Sequence, residues 1–282
     1  MNVNIYTPDS KMPNLAAMKI SAYHKQIGDR VTLNRPYFSG MNADLTYASV
    51  LFRGTPEKEY PAADLVGGPA FPESKLPPEM DTMKPDYALY PGIDYSMGYT
   101  YKACPRTCEH CIVPKQQNDD KHYSIWDFHE TRFKKIMLMN NNTFADPNWR
   151  DTFAEIADAK LTVIEHGFDA RYVGKEQAQA IKNLKREGYI HFAWDYPEHE
   201  EDVLRGLCHL RTAKVSKVMV YVMIGHTTPE EDLHRVLILD AMGFDPYVMP
   251  LDKSNEYQRK FQRWCNAKQV FNKPVRWQDY KG

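Results

Sequence analysis

From residue 94 onward the chain alternates two textures, and this alternation restricts its fold more than any other feature. Short apolar runs predict strands at 94–101, 133–139, 161–165, 189–194, 215–224 and 245–249. Between them, residues 147–158, 175–187, 198–212, 229–242 and 255–270 read as helices, with Gly188 and Gly243 placed to end two of them. With the stretch after Cys111 supplying the first helix, six βα units follow one another. Repeated βα units read as a parallel sheet flanked by helices, with right-handed crossovers. Six units suit a partial (β/α)6 barrel rather than the complete eight-unit one.

The first ninety residues differ. Residues 3–6, 30–33 and 46–52 predict strands, and 13–27 predicts a helix with Leu15, Met18 and Ala22 at helical spacing, Pro13 in its first turn and Gly28 at its end. This is a small α/β unit. Between 67 and 91 prolines recur at 69, 72, 77, 78, 85 and 91, which reads as a connector because proline fixes φ and lacks a donor. The expected organisation is a small α/β N-terminal domain with its connector at 1–90, then a barrel domain at 91–282.

Composition excludes several classes. Apolar residues are 43% and charged residues 26% of 282, ordinary globular usage that rules out disorder, collagen and coiled coil for the whole chain. The net charge of -1 gives no global basic bias toward nucleic acid, and the runs Lys134-Lys135 and 182–186 read as ordinary helix or strand faces. The best apolar run, 218–224, is far shorter than the roughly 20 residues a membrane span needs. The opening MNVNIYTPDSKMPNL has neither a basic nor an apolar signal region, which predicts a cytoplasmic protein with no membrane partner.

The chain has five cysteines, and three crowd together as Cys104-Pro105-Arg106-Thr107-Cys108-Glu109-His110-Cys111. The spacing C-x3-C-x2-C directly follows the first strand of the array and predicts three thiolates converging on one metal centre. Iron–sulfur clusters usually take four thiolates, so three leave one iron open to an outside ligand. Structural zinc is the alternative, in a non-catalytic α/β binding protein. Zinc sites more often use two C-x2-C knuckles, and no second knuckle exists. Cys208 and Cys265 lie inside predicted helices, where a free cysteine is usually a small buried hydrophobe.

This motif, an aromatic-type residue (His110) before its last cysteine, and the six βα units together resemble the radical SAM enzymes, over about residues 94–270. The resemblance implies a 4Fe-4S cluster on Cys104, Cys108 and Cys111, with S-adenosylmethionine bound through its amino and carboxylate groups to the open iron. One electron, from a donor such as flavodoxin or ferredoxin, would cleave the sulfonium and release a 5′-deoxyadenosyl radical. The implied substrate is a nucleic-acid base or a small metabolite.

In parallel α/β arrays ligands sit at the carboxyl ends of strands. The second strand there ends in Asn140-Asn141-Asn142, where the resemblance places a stretch that binds the SAM amino group; an ordinary turn is the alternative. The third ends Glu165-His166-Gly167-Phe168-Asp169-Ala170-Arg171. Arg171 suits a carboxylate, with Asp169 orienting it, and a loop salt bridge is the alternative. Asp195 suits ribose hydroxyls or caps the next helix. Gly225 would allow adenine to approach, and His226 is either a proton donor or a loop residue. Asn140, Asn141, Arg171, Asp195 and Gly225 are thus the candidate SAM contacts.

The stretches 13–19 and 167–171 resemble ones in radical SAM proteins with cobalamin-type N-terminal domains. A cobalamin-dependent methyltransferase is therefore an alternative function. Two departures disfavour cobalamin: there is no Asp-x-His-x-x-Gly run, and the N-terminal domain is short. It also holds no cysteine, which disfavours a methylthiotransferase.

Overall fold

The computed structural model describes residues 1–35, 43–60, 63–116, 118–165, 167–271 and 276–281. The chain is α/β with parallel sheets. It divides into two compact units, Met1–Asn141 with Arg150–Leu161, and Asn142–Trp149 with Thr162–Gly282.

The first unit opens with β1 (Asn2–Tyr6), α1 (Leu15–Gln26), β2 (Arg30–Leu33), β3 (Leu45–Ser49) and β4 (Leu65–Gly67). These strands form one sheet in the order β2-β1-β3-β4, with every pairing parallel. Central β1 buries Val3 and Ile5, as a strand covered on both faces must. Helix α1 packs Ala17 and Ile20 with those strand residues and Leu15 and Met18 against a second cluster around Tyr87 and Met97. Asn14, not Pro13, starts α1: its Oδ1 accepts from the Ala17 N–H at 3.0 Å while its Nδ2 donates to Ser49 Oγ at 3.0 Å. At the other end Gly28 takes φ +87°, and the Asp29 N–H returns to the His24 carbonyl at 2.9 Å. This left-handed cap is one that glycine adopts cheaply.

The proline-dense stretch is a fixed strap. It contains α2 (Pro78–Asp81), whose Met80 is buried, and a 3-10 turn Tyr87–Leu89 with Tyr87 buried. Asp81 accepts from the ammonium groups of Lys19 (2.8 Å) and Lys102 (2.6 Å), and Lys19 also reaches the Asp81 carbonyl. Asp86 accepts from Ser21 and Lys25, each at 2.6 Å. Burial pushes the Asp81 and Asp86 carboxyls up, but these donors outweigh it and hold both below their ordinary value.

Beyond the strap, β5 (Tyr95–Gly98) pairs in parallel with β6 (Lys135–Leu138). The helix expected after Cys111 is absent among the described residues, which hold 3-10 turns at Val113–Gln116 and Ile125–Asp127 instead. Pro114 and the Asn118–Asp120 run disfavour a longer helix. Next comes α3 (Trp149–Asp158).

The second unit runs β7 (Thr162–Glu165), α4 (Lys175–Asn183), β8 (Ile190–Ala193), α5 (Glu200–Thr212), β9 (Val218–Ile224), α6 (Pro229–Ala241), β10 (Asp245–Pro250), α7 (Glu256–Asn266) and α8 (Lys268–Phe271). Strands β8, β9 and β10 form a parallel sheet with β9 central, its Val218, Val220, Val222 and Ile224 buried. Helix α4 ends before the expected Gly188. The Lys185 carbonyl accepts from Val163 N–H at 2.8 Å and Glu187 N–H donates to the Val163 carbonyl at 3.0 Å, so pairing with β7 takes over those residues. The single helix expected at 255–270 breaks at Asn266, whose amide pairs with both Val248 N–H (2.8 Å) and Val248 C=O (2.9 Å). Among the described residues no helix is long and apolar enough to cross a membrane.

Replacing Asp81 by Ala should lower the unfolding free energy by about 2 kcal/mol in urea titrations, because the largely buried Lys19 ammonium loses its charged acceptor. Asp81→Asn, which keeps an acceptor oxygen, should lose less. Equal stability of Asp81→Ala and the parent would refute the strap as a fastening.

Candidate functional site

The cysteine loop is closed at its base. Past β5, Tyr101 bridges His122 in antiparallel fashion, and the Tyr123 N–H donates to the Thr100 carbonyl at 2.8 Å. Everything from Lys102 to Lys121 is therefore one excursion, and it carries all three clustered cysteines. Gly98 admits Phe128 beneath this base, since a Cβ there would lie 2.3 Å from the ring. The Tyr101 hydroxyl donates to Asp120 at 2.5 Å and the Tyr123 hydroxyl to Asp119 at 2.9 Å. Burial and then Asp119 push the Tyr123 phenol up to about 12, so it remains a donor.

Asn140 and Asn141 are engaged by the chain's own groups at the entrance of the cysteine loop. Backbone pairing of β6 with β5 ends with Met139 N–H on the Gly98 carbonyl at 2.8 Å. The Asn140 side chain then continues the ladder. Its Oδ1 accepts from the N–H groups of Thr100 (2.8 Å) and Tyr101 (3.1 Å), and its Nδ2 donates to Thr100 Oγ1 (2.8 Å). Asn141 Nδ2 donates to the Lys102 carbonyl at 2.5 Å. Both amides hold the entrance of the cysteine loop. The third asparagine behaves otherwise: Asn142 is 0% exposed, and among the described residues neither its Nδ2 nor its Oδ1 has a hydrogen-bond partner. A buried unmet amide costs about 1–3 kcal/mol and calls for a partner.

Cys104, Cys108 and Cys111 are partly buried thiols, and none of the five cysteines is in a disulfide. The Cys111 N–H donates to the Cys108 carbonyl at 3.1 Å, a turn that starts to fold the motif on itself. Among the described residues no group of three or more His, Cys, Asp or Glu side chains is gathered closely enough to hold a metal ion. Ligand loops commonly take their final shape with the metal, since nothing else draws thiols together. In number and kind these donors fit an iron–sulfur cluster.

In the second unit, Arg171 lies in a 3-10 turn (Ala170–Tyr172) capped by Asp169. Asp169 also grips it by a fork, Nε to Oδ1 at 2.8 Å and Nη2 to Oδ2 at 2.7 Å. So Asp169 orients Arg171, and the loop salt bridge is present as well. Gly206 lets α5 reach this turn: a Cβ there would lie 1.8 Å from the Ala170 carbonyl oxygen. Asp195 accepts from the Met223 N–H at 3.1 Å. It caps no helix; Tyr196 precedes the 3-10 turn Pro197–His199 and makes no side-chain cap bond. Burial pushes the Asp195 carboxyl above its ordinary value, opposed by the Met223 N–H and by Arg235, His226 and Arg171 nearby. Arg171, Asp195 and His226 therefore share one electrostatic neighbourhood. His226 packs edge-on against Tyr196 at 5.3 Å. His166 lies outside the described residues.

Gly225 answers to this chain's own packing. At φ +96°, its Cβ would meet the Gln258 amide at 2.1 Å. The Gln258 amide that packs there accepts from Asp252 N–H at 2.8 Å.

The organising residue of this end of the sheet is one the sequence reading passed over. Arg235 and Asp232, on α6, are both 0% exposed and paired at 2.6 Å. Arg235 Nη1 donates to the carbonyls of Trp194 (3.0 Å), Asp195 (2.6 Å) and Met223 (3.1 Å), and Nη2 to Thr227 Oγ1 (3.0 Å). It ties the carboxyl ends of β8 and β9 together. Tyr257 donates to Asp232 at 3.0 Å, and burial, then that carboxylate, push its phenol far up. The available signal was helical phase: Asp232 and Arg235 share the face of Val236 and Leu239.

Burial and bonding also place the remaining cysteines and the polar residues of the N-terminal sheet. Cys265 is buried and its thiol is pushed up to about 12, mainly by burial, so it is no nucleophile at neutral pH. Cys208 is exposed on α5. The one histidine among residues 1–90, His24, is buried with Nδ1 on Asp29 (2.7 Å) and Nε2 on Tyr47 (3.0 Å). At the switch point between β1 and β3, Asp9 accepts from Leu51 N–H (3.0 Å), Phe52 N–H (2.8 Å) and Thr55 Oγ1 (2.5 Å), drawing together the loops where a cofactor would enter.

Asp195→Asn keeps the acceptor for Met223 and removes a carboxylate that burial disfavours. The folded carboxyl titrates above the ordinary value of 3.8, so its charge costs stability at neutral pH and ceases to as pH falls through that value. The variant should melt higher at pH 7, with the gain fading as pH falls through the raised folded value and gone by about pH 4. A gain that does not vary with pH would contradict this assignment.

No family model matches the chain, and no curated protein matches it.

Proposed function

We propose that the chain is a radical SAM enzyme built on a partial (β/α)6 barrel, with Cys104, Cys108 and Cys111 as the ligands of a 4Fe-4S cluster. The observation that carries this reading is the thiol motif itself: C-x3-C-x2-C on one excursion, directly after a parallel strand and closed at its base. Six successive strands, β5 to β10, support the barrel reading.

When bound, the cluster supplies the single electron that cleaves S-adenosylmethionine reductively, delivered by a flavodoxin or ferredoxin. This chain's residues do the rest. Asn140 and Asn141 hold the loop entrance so that the thiols are offered from a fixed base. The buried Asn142 amide can donate to a carboxylate and accept from an ammonium group, both of which an amino acid moiety presents. Arg171, pre-oriented by Asp169, offers a second carboxylate site. Asp195, held by the Met223 N–H, offers an acceptor to hydroxyl groups. Arg235 keeps the ends of β8 and β9 in register and excludes water from between them.

Anaerobic purification should return about four irons and matching sulfide per chain. Dithionite and S-adenosylmethionine should then yield 5′-deoxyadenosine. A Cys104, Cys108 and Cys111 triple alanine variant should lose both. Zinc without iron, and no cleavage, would overturn the reading and make the loop a structural staple. Asn140→Leu leaves the Thr100 and Tyr101 N–H groups buried and unmet, at a cost of about 1–3 kcal/mol each. It should purify with less iron than Asn140→Asp, which retains the acceptor; equal iron in the two variants would remove Asn140 from this role.

A further inference from the structure

We propose that two adjacent turns at the amino-terminal ends of β8 and β9 form a docking surface for single-stranded nucleic acid. The first turn follows α4 and the second follows α5. Because β8 and β9 are parallel neighbours, both turns lie at the same edge, opposite the strand ends that carry Asp195 and Met223. They are bonded to each other. Lys182 Nζ donates to the Lys214 carbonyl at 2.7 Å, Arg186 Nη2 to the Ser216 carbonyl at 2.7 Å, and Ile190 N–H to the Lys217 carbonyl at 2.8 Å.

The turns concentrate one sign of charge. Lys182, Lys185, Arg186, Arg211, Lys214 and Lys217 stand against a single acid, Glu187, within residues 182–189 and 211–217. Among the described residues none of these six cations forms a salt bridge. Lys182 and Arg186 bond carbonyls instead, which fixes their positions without cancelling their charge. The chain as a whole is near neutral, so the attraction is local to this edge.

The backbone adds a second, independent argument. Lys214 and Lys217 have φ of +57° and +54°, the left-handed region that glycine or asparagine adopts with less strain. Lys214 follows the end of α5, where glycine is the usual residue. Both positive-φ positions of this turn carry lysine, as does Lys160 after α3 at φ +55°, so here the turn's geometry presents two cations side by side. Tyr189, 42% exposed, stands in the neighbouring turn and offers a ring for an unpaired base. Fixed cations for phosphates beside an aromatic face are what single strands bind. This surface is independent of the cluster: it would hold whether or not the thiol loop binds iron.

The test is fluorescence anisotropy of the full chain with labelled oligo(dT) and oligo(U) across a salt series. Binding should weaken with salt, with a log–log slope of about −0.7 per phosphate engaged. A K214G/K217G variant should bind more weakly, with a slope shallower by about 1.4. Its melting temperature should be unchanged or higher, since glycine relieves both strained positions. K185Q/R211Q, which alters exposed side chains with no hydrogen bonds among the described residues, should lose affinity in the same way. Y189A should weaken binding and leave the slope intact. No binding at low salt, parental affinity and slope in both charge variants, or binding to phosphatidylserine vesicles without binding to either oligonucleotide would overturn the proposal.

Discussion

Parallel pairing is the constraint on which the rest depends. A strand can join its neighbour in parallel only after the chain has crossed back along the sheet, so each loop at one end leaves a strand and each loop at the other end enters one. The protein uses the leaving ends for its polar chemistry. The cysteine excursion leaves β5, the asparagines leave β6, and Asp195 and Gly225 leave β8 and β9. The entering ends between α4 and β8 and between α5 and β9 are where the cations collect. One geometric rule thus sorts uncharged and acidic polar residues to the leaving ends of these strands and the cations of the second unit to entering ends.

How these ends are held differs in kind between the two units. In the first, amides hold them: Asn14 joins α1 to β3, and Asn140 extends the β5–β6 ladder beyond the strands. In the second, a charge does so. Arg235 directs nearly every donor to backbone carbonyls and the Asp232 carboxylate. A buried ion pair of this kind is weak evidence of net stability, since desolvation opposes it. Its contribution is directional, because a planar guanidinium presents donors at fixed angles to groups from two strands at once.

The strand and helix alternation was legible because apolar period is set by burial, and burial decides these elements. Strand β2 falls at the expected residues, and β9 and α6 fall within a few residues of theirs. What period does not encode is competition at the ends. Lys185 and Glu187 fit a helix by sequence but were claimed by Val163, and Asn266 cut the last helix by pairing with Val248. The site was legible in its residue types and less so in its roles. Asparagines after a strand announce a polar turn, yet only geometry separates Asn140, bonded to the backbone and hydroxyl of the facing strand end, from Asn142, whose amide has no partner among the described residues. At Gly225, too, only geometry shows the Gln258 amide packed against the position. Arg235 was hidden because a buried arginine reads as a surface one until its helical face is considered.

The closure of the cysteine excursion at Tyr101 and His122 has a consequence for the order of events in the life of the protein. Bringing the ends of a flexible segment together carries an entropic penalty that grows with its length. Here that penalty is met by the sheet, the bridge and the Asn140 amide, before any ion arrives. A cluster bound as proposed would have only to arrange a segment whose ends are already joined. In that reading the scaffold matures first and is loaded afterwards, and loss of the cluster would cost the segment its shape without unravelling the strands that frame it.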